Sequence, residues 1–497
     1  MRQGWSALGS RFGRSGWLPL LLLWALSACG RDAGAVSASG DGNEPDAGLE
    51  AAFDADGDVG ADGTPEEAPQ VADAGADGGA GPKGPAGQAA WLIDLVNERL
   101  DQAPDAEFDQ HVGAALDATM TRAGLVLSLV QLRDTASPLR WEGLDAEEPD
   151  RVVVRLSARN GVWFRLSLAT DANDGDRIRS VELSLAPDID PERAREWSQV
   201  TDRLDVAASG ASMLVARVGS SGCEPMFAHR STAPMAVASA MKLVVLSAVA
   251  GDVAAGRRAW TDRVVVRDAL KSLPTGELRD VAEGTELTLA EVATRMVARS
   301  DNTAADLLID LVGRERVEAE QVAAGVAAGG LNRPFMTTRE FFGLKLVADT
   351  ATLRQFIGGS PEASRRTLDE LVSLLNPDDG AGRDWSRPRL IDEVEWFYSQ
   401  EDLCSVMSLL KSQGDEVLRI VGSNPGTGFD EVSWPFVGYK GGTEPGVLQM
   451  TWLLRHVGGQ WYFVGIGLND RSRAIDELQV TYLAQMAAML LTEAVEP

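Results

Sequence analysis

The stretch that most constrains this chain runs from residue 233 to 251 and reads Ala-Pro-Met-Ala-Val-Ala-Ser-Ala-Met-Lys-Leu-Val-Val-Leu-Ser-Ala-Val-Ala-Gly. Pro234 breaks any strand before it, helix-compatible residues follow from Ala236, and Gly251 offers a stop. Met241, Leu243, Val245 and Leu246 fall on different sides of such a helix, so it must be buried all round. Ser239 and Lys242 are three apart and share one face of it. An amine held against a hydroxyl inside an apolar helix is a way to make that hydroxyl nucleophilic. The spacing alone is weak, because Ser408-Leu409-Leu410-Lys411 repeats it on another expected helix. The weight therefore falls on what accompanies Ser239.

Two other segments carry chemistry-bearing residues. Met296-Val297-Ala298-Arg299-Ser300-Asp301-Asn302-Thr303 ends one expected helix and begins the next. A helix N-cap explains Asp301 or Asn302, but not three polar residues in a row between apolar stretches. Farther on, an expected strand at Val437–Tyr439 leads into Lys440-Gly441-Gly442-Thr443. A strand-borne lysine before two glycines sets a cation and bare backbone N–H groups against a bound anion. Standing alone, such a lysine would only guard a sheet edge.

The rest of the chain divides by composition. Residues 1–29 read as an export signal: Arg2, Arg11 and Arg14, then the apolar run Trp17–Ala25, then Leu26-Ser27-Ala28-Cys29. That ending resembles a bacterial lipobox, which makes Cys29 the expected lipidation site of an exported lipoprotein on a periplasm-facing outer membrane or the cell surface. Residues 30–88 are an Ala/Gly/Asp-rich acidic tether with too little apolar surface to order itself. Asp54, Asp56 and Asp58 do not complete a calcium loop there, since Val59 and Pro65 occupy the Gly and Glu positions. Residues 89–190 form an expected small α+β domain. Helices at Trp91–Leu100, Phe108–Met120 and Ala123–Leu132 precede three strands, Arg151–Ser157, Val162–Ala169 and Ile178–Ala186, with a hairpin turn at Asn160-Gly161. Trp141, Trp163 and Phe164 are expected on its concave face, chiefly as core. A second domain spans 198–497, with strands at both ends and helices between, the pattern of one antiparallel sheet covered by helices.

The net charge is −28, with 46 Lys+Arg against 74 Asp+Glu and no basic patch, which argues against nucleic-acid binding. His111, His229 and His456 are scattered without ligand spacing, so neither a metal site nor a cofactor is expected. Cys223 and Cys404 remain after Cys29; pairing is open, with a buried free pair the preferred reading.

In their order, Ser239-x-x-Lys242, Ser300-Asp301-Asn302 and Lys440-Gly441-Gly442 resemble the penicilloyl-serine superfamily, most closely class A β-lactamases. The likeness covers about 198–497 and includes Leu273-Pro274-Thr275-Gly276. With the domain in front and Lys-Gly-Gly-Thr-Glu-Pro-Gly-Val, it narrows to a branch joining a steroid-isomerase-like domain to a β-lactamase-like hydrolase. That branch is known from a clavulanic-acid-cluster protein and actinobacterial lipoproteins. The resemblance implies an antiparallel sheet flanked by helices plus an all-helical subdomain, an α+β fold of β-lactamase/DD-peptidase type. It implies Ser239 as nucleophile, Lys242 as its base with Lys440 lowering that base's pKa, and Ser300 as proton relay. Asn302 would hold Lys242 or the substrate, Gly441, Gly442 and Thr443 would line the substrate, and the Ser239 and Thr443 N–H groups would form the oxyanion hole. Two departures stand out. Gly441 replaces a hydroxyl residue, leaving Thr443 to meet a substrate carboxylate, and no Glu-x-x-Leu-Asn element is found, which leaves Glu395 as the acid to examine first. The stretch 331–389 reads as an insertion. The expected partner is a small acyl substrate (a β-lactam, an ester or a peptidoglycan peptide). The alternatives are a D-alanyl-D-alanine peptidase and a non-catalytic binding lipoprotein.

Overall fold

The structure, a computed structural model, describes residues 84–376 and 379–495. The expected signal with Cys29, and the tether as far as residue 83, lie outside the described residues.

The first domain packs helices Gly84–Asp94, Asp105–His111, Ala114–Thr119 and Arg122–Ala136 on an antiparallel sheet of four strands in sequence order: β1 (Leu139–Glu148), β2 (Arg151–Ala158), β3 (Trp163–Asp171) and β4 (Arg177–Leu185). Burial alternates strictly along β2, so Val152, Val154 and Leu156 face the helices while Arg151, Arg155 and Ser157 face away. Phe164 is fully buried in that core, whereas Trp141 on β1 is 36% exposed and does not belong to it. The reading of Phe108–Met120 as one helix is corrected. Val112 leaves the helix to bridge Ile178, and Gly113 tucks against Asp174, where a Cβ would lie 2.9 Å from its carboxylate.

The second domain begins with a helix, Trp197–Ala207, followed by β5 (Gly210–Gly219) and β6 (Gly222–His229). A short strand β7 (Met235–Ala236) pairs with β10 (Phe397–Tyr398), and β8 (Arg263–Val265) pairs with β9 (Glu286–Thr288). The main sheet adds β11 (Phe436–Glu444), β12 (Val447–Arg455) and β13 (Trp461–Asn469) to give the antiparallel order β11-β12-β13-β5-β6. Both of its faces are covered. Leu214, Ala216 and Phe463 pack under the Lys242–Ala254 helix and the middle helices. Met213, Val215 and Ile466 pack under Trp197–Ala207 and the closing helix Glu477–Val495, in an apolar cluster that runs on into the first domain. At the hairpin tip of β2 and β3, Asn160 Nδ2 donates to Asp476 Oδ2 (3.1 Å), and Gln479 Nε2 donates to the Asn160 carbonyl (3.4 Å).

Two further expectations are corrected here. The helix after Pro234 does not run unbroken from Ala236 to Gly251: a 3-10 turn at Ala238–Met241 precedes Lys242–Ala254, and Gly251 lies inside the helix, where Arg316 crosses it. Cys223 and Cys404 are not free but form a disulfide that joins β6 to the helix Gln400–Ser412. No helix among the described residues is long and apolar enough to cross a membrane.

Candidate active site

Ser239 sits in the 3-10 turn, and the strain in that turn is local: Ala238, immediately before it, takes φ +46°, a left-handed conformation that costs a non-glycine residue. In a 3-10 turn residues three apart eclipse, which aims Lys242 straight along Ser239. The Lys242 amine is fully buried and donates to Ser239 Oγ (3.0 Å), Ser300 O (2.7 Å), Ser300 Oγ (3.2 Å) and Asn302 Oδ1 (2.6 Å).

Ser300 occupies the link between helices Leu289–Ala298 and Asn302–Val312, also at positive φ (+53°). Asp301 is the N-cap, accepting from Ala304 N with one oxygen and from Glu277 N and Leu278 N with the other. Its role is therefore structural. Asn302 is wholly engaged, with Oδ1 on Lys242 and Nδ2 donating to Leu273 O (2.5 Å), so it orients the lysine and is not free for a substrate amide. The Leu273–Gly276 segment wraps this link closely. A Cβ on Gly276 would fall 2.1 Å from the Asp301 carboxyl carbon.

Lys440 reaches the same point from β11 and donates to Ser300 Oγ (3.0 Å). The Ser300 hydroxyl thus stands between two amines. Gly442, two residues on and on the same face of β11, is pressed against the Ser239 turn, where a Cβ would lie 2.0 Å from Val237 O and 2.8 Å from Ser239 N. Gly441 projects to the other side, beside Tyr439. The Thr443 hydroxyl donates to Glu477 Oε1 (2.8 Å), so it is not offered to a carboxylate on the substrate.

Burial dominates the electrostatics. It brings Lys242 down to about 7, with Asp301 and Asp306 pulling in the opposite direction. Lys440 is held well below the lysine range by burial and then by the neighbouring Lys242. An amine that is neutral near pH 7 and within hydrogen-bonding reach of a hydroxyl meets the geometric and protonic requirements of a general base.

Glu395 does not line the site. It is buried, with Oε2 accepting from Ala238 N (3.3 Å) and Trp396 N (2.9 Å) and Oε1 facing Lys345 (3.4 Å). The acidic residue that does border it is Glu444, which sequence reasoning missed; its carboxyl is turned to Lys345. A signal existed: period-two alternation puts Lys440, Gly442 and Glu444 on one face of β11. A cavity of about 20 Å³ lies beside Ser239, bounded by Asn302, Thr338, Trp396, Thr443 and Glu444. Thr443 and Glu444 also border a larger cavity of about 350 Å³ whose far wall includes Asp134, Thr135 and Arg159 of the first domain. The second Ser-x-x-Lys pair is ordinary, since Lys411 only donates to the Val218 and Gly219 carbonyls. Among the described residues no group of His, Cys, Asp and Glu is arranged to hold a metal.

Residues 198–379 match the family described as Beta-lactamase enzyme family. The second domain is a β-lactamase-family domain. Residues 81–175 match the family described as ORF 12 gene product N-terminal, so the α+β domain in front is of that kind. No curated protein matches the chain. Among solved structures, a β-lactamase from Sphaerobacter thermophilus is 22% identical, covering 61% of this chain and 99% of its own, with TM-score 0.43. The structure of PBP-A is 15% identical over 61% of this chain and 97% of its own, with TM-score 0.41. An ancestral class A β-lactamase is 14% identical over 60% and 98%, with TM-score 0.42. The β-lactamase-family match ends before β11, and it is the fold that brings Lys440 to Ser300.

Proposed function

We propose that this β-lactamase-family protein is an active-site serine hydrolase working through an acyl-enzyme on Ser239, with a β-lactam or a related ester or amide as substrate. The observation that carries this is the Lys242 amine, lowered to about 7 by burial and 3.0 Å from Ser239 Oγ. In the proposed reaction Ser239 Oγ attacks the substrate carbonyl carbon and its proton passes to neutral Lys242. Backbone N–H groups of Ser239 and Thr443 stabilise the oxyanion; one such donor is typically worth about 3 kcal/mol. As the carbonyl-to-nitrogen or carbonyl-to-oxygen bond breaks, the Ser300 hydroxyl passes a proton to the leaving atom and is refilled from Lys242. Lys440, hydrogen-bonded to Ser300, keeps that hydroxyl in place. Water then hydrolyses the ester on Ser239.

The larger cavity gives room for the substrate beyond its reacting group, with the first domain as one wall. The Cys223–Cys404 disulfide supports export to an oxidising compartment, and the lipobox-like Cys29 supports a lipid anchor there.

Intact-mass analysis with a fluorescent penicillin tests the reading. A transient adduct on Ser239 is expected, with both adduct and turnover lost in Ser239→Ala, the latter by at least about 10³-fold. A persistent adduct would point to the D-alanyl-D-alanine peptidase class, and no adduct to a binding protein. Turnover retained in Ser239→Ala would end the proposal.

A further inference from the structure

With no side chain at Gly441, Thr443 is the residue left to meet a carboxylate on a substrate, and its hydroxyl is already engaged. It donates to Glu477 Oε1 at 2.8 Å, from β11 across to the first residue of the closing helix. The other Glu477 oxygen has no hydrogen-bonding partner among the described residues. Thr443 and Glu477 both line the cavity of about 350 Å³, and Thr443 also lines the small cavity beside Ser239. A carboxyl therefore stands in the wall of the larger cavity, one hydrogen bond from a residue that borders the nucleophile.

The other ionisable groups of that wall are Asp134, Arg159, Glu444 and Asp476. Three of them are carboxyls with firm partners. Asp134 pairs with Arg133 (2.9 Å), Glu444 with Lys345 (2.5 Å), and Asp476 accepts from Asn160 Nδ2 and the Gln479 N–H. Glu477 differs, since a single neutral hydroxyl is its partner. Arg159, the one cation of the lining, comes from the first domain and is not paired with Glu477. An ionised carboxyl with an oxygen to spare repels a second carboxylate brought within a few ångströms and attracts a cation there.

We propose that Glu477 sets the specificity of this site, disfavouring a carboxylate beside the scissile bond and selecting acyl substrates with a positively charged group on the leaving-atom side. The proposal rests on the acyl-enzyme reading above and narrows its substrate to a cationic ester or amide. Burial raises the Glu477 carboxyl to about 7, with the Thr443 hydroxyl lowering it and Asp476 raising it. The charge that discriminates is therefore present above about 7, and the comparison belongs at about pH 8.

Penicillin G, its methyl ester and its choline ester put a negative, a neutral and a positive group at one place on one scaffold. The rate at which each acylates Ser239 is divided by that compound's own hydrolysis rate in buffer, which removes differences in ring reactivity. The normalised rates are expected to rise in that order, by about 10-fold or more from penicillin G to the choline ester. Glu477→Gln keeps an acceptor for the Thr443 hydroxyl and removes the charge, and it is expected to compress the spread to within about threefold. If none of the three acylates Ser239, the acyl-enzyme reading itself fails. If acylation occurs but wild type takes penicillin G as fast as the choline ester, the specificity proposal alone fails, whether or not the variant folds. An unchanged spread in folded Glu477→Gln overturns it as well.

Discussion

Lys242 and Lys345 are both fully buried, and one touches Ser239 while the other reaches its turn only through Glu395, yet they keep opposite company. Lys242 meets two hydroxyls, a carbonyl, an amide oxygen and a second lysine across Ser300. Lys345 meets two carboxylates and an aromatic face. Burial alone disfavours charge on any lysine. What differs is whether the neighbours compensate for that. A lysine among neutral oxygens becomes a base. One between carboxylates becomes their counter-ion.

The sharpest way to break this contrast is to remove each amine in turn. Lys242→Met should lower acylation by about 10³-fold, read as the rate of adduct formation. Wild-type acylation should also climb with pH through about 7 as Lys242 loses its proton. The linkage to stability has a definite sign. Between about 7 and 10.5 the unfolded chain carries a proton on Lys242 that the folded chain lacks, so folding stability contributed by this group rises with pH across that window. The penalty is largest below about 7, and any stability advantage of Lys242→Met, followed by urea unfolding, should shrink toward pH 10.5.

Lys345→Met should act on stability first. It strands Glu395 and Glu444 without their cation and should cost about 3–5 kcal/mol by the same unfolding measurement. A cost below about 1 kcal/mol would mean that the two carboxyls satisfy each other, and the contrast between the lysines would collapse. The smallest effect belongs to Gly442→Ala. Its added methyl meets the Val237 carbonyl and must part β11 from the Ser239 turn, at about 1–3 kcal/mol. Adduct formation should slow, while the Lys345 cluster keeps its pairing.

The Ser239 half of this contrast was legible in the sequence and the Glu444 half was not. Spacing puts Ser239 and Lys242 on one face and Ser300 at a helix junction, and the resemblance to the penicilloyl-serine superfamily implied that Lys440 joins them. Lys345 and Glu444 are 99 residues apart, and nothing local to either announces the other. Glu444 is followed by Pro445-Gly446, which reads as a surface turn. The disulfide hid for the same reason, its cysteines being separated by 181 residues. Strand β1 escaped because its sequence, Leu-Arg-Trp-Glu-Gly-Leu-Asp-Ala-Glu-Glu, lacks apolar alternation: after Leu139 the strand is exposed almost throughout, and pairing with β2 is what defines it. Strands β12 and β13, by contrast, have long apolar runs bounded by clear turns.

The Asn160 hairpin tip grips Asp476 and Gln479, next door to the Glu477 that holds Thr443. Only a few bonds therefore separate the leading domain from the strand that carries Lys440 and Thr443. A drift of that domain would be felt first as a change in the roominess of the larger cavity that it walls, before any atom beside Ser239 moved. Changes in which molecules the protein accepts can then accumulate in the fused domain, while the chemistry beside Ser239 is left as it is.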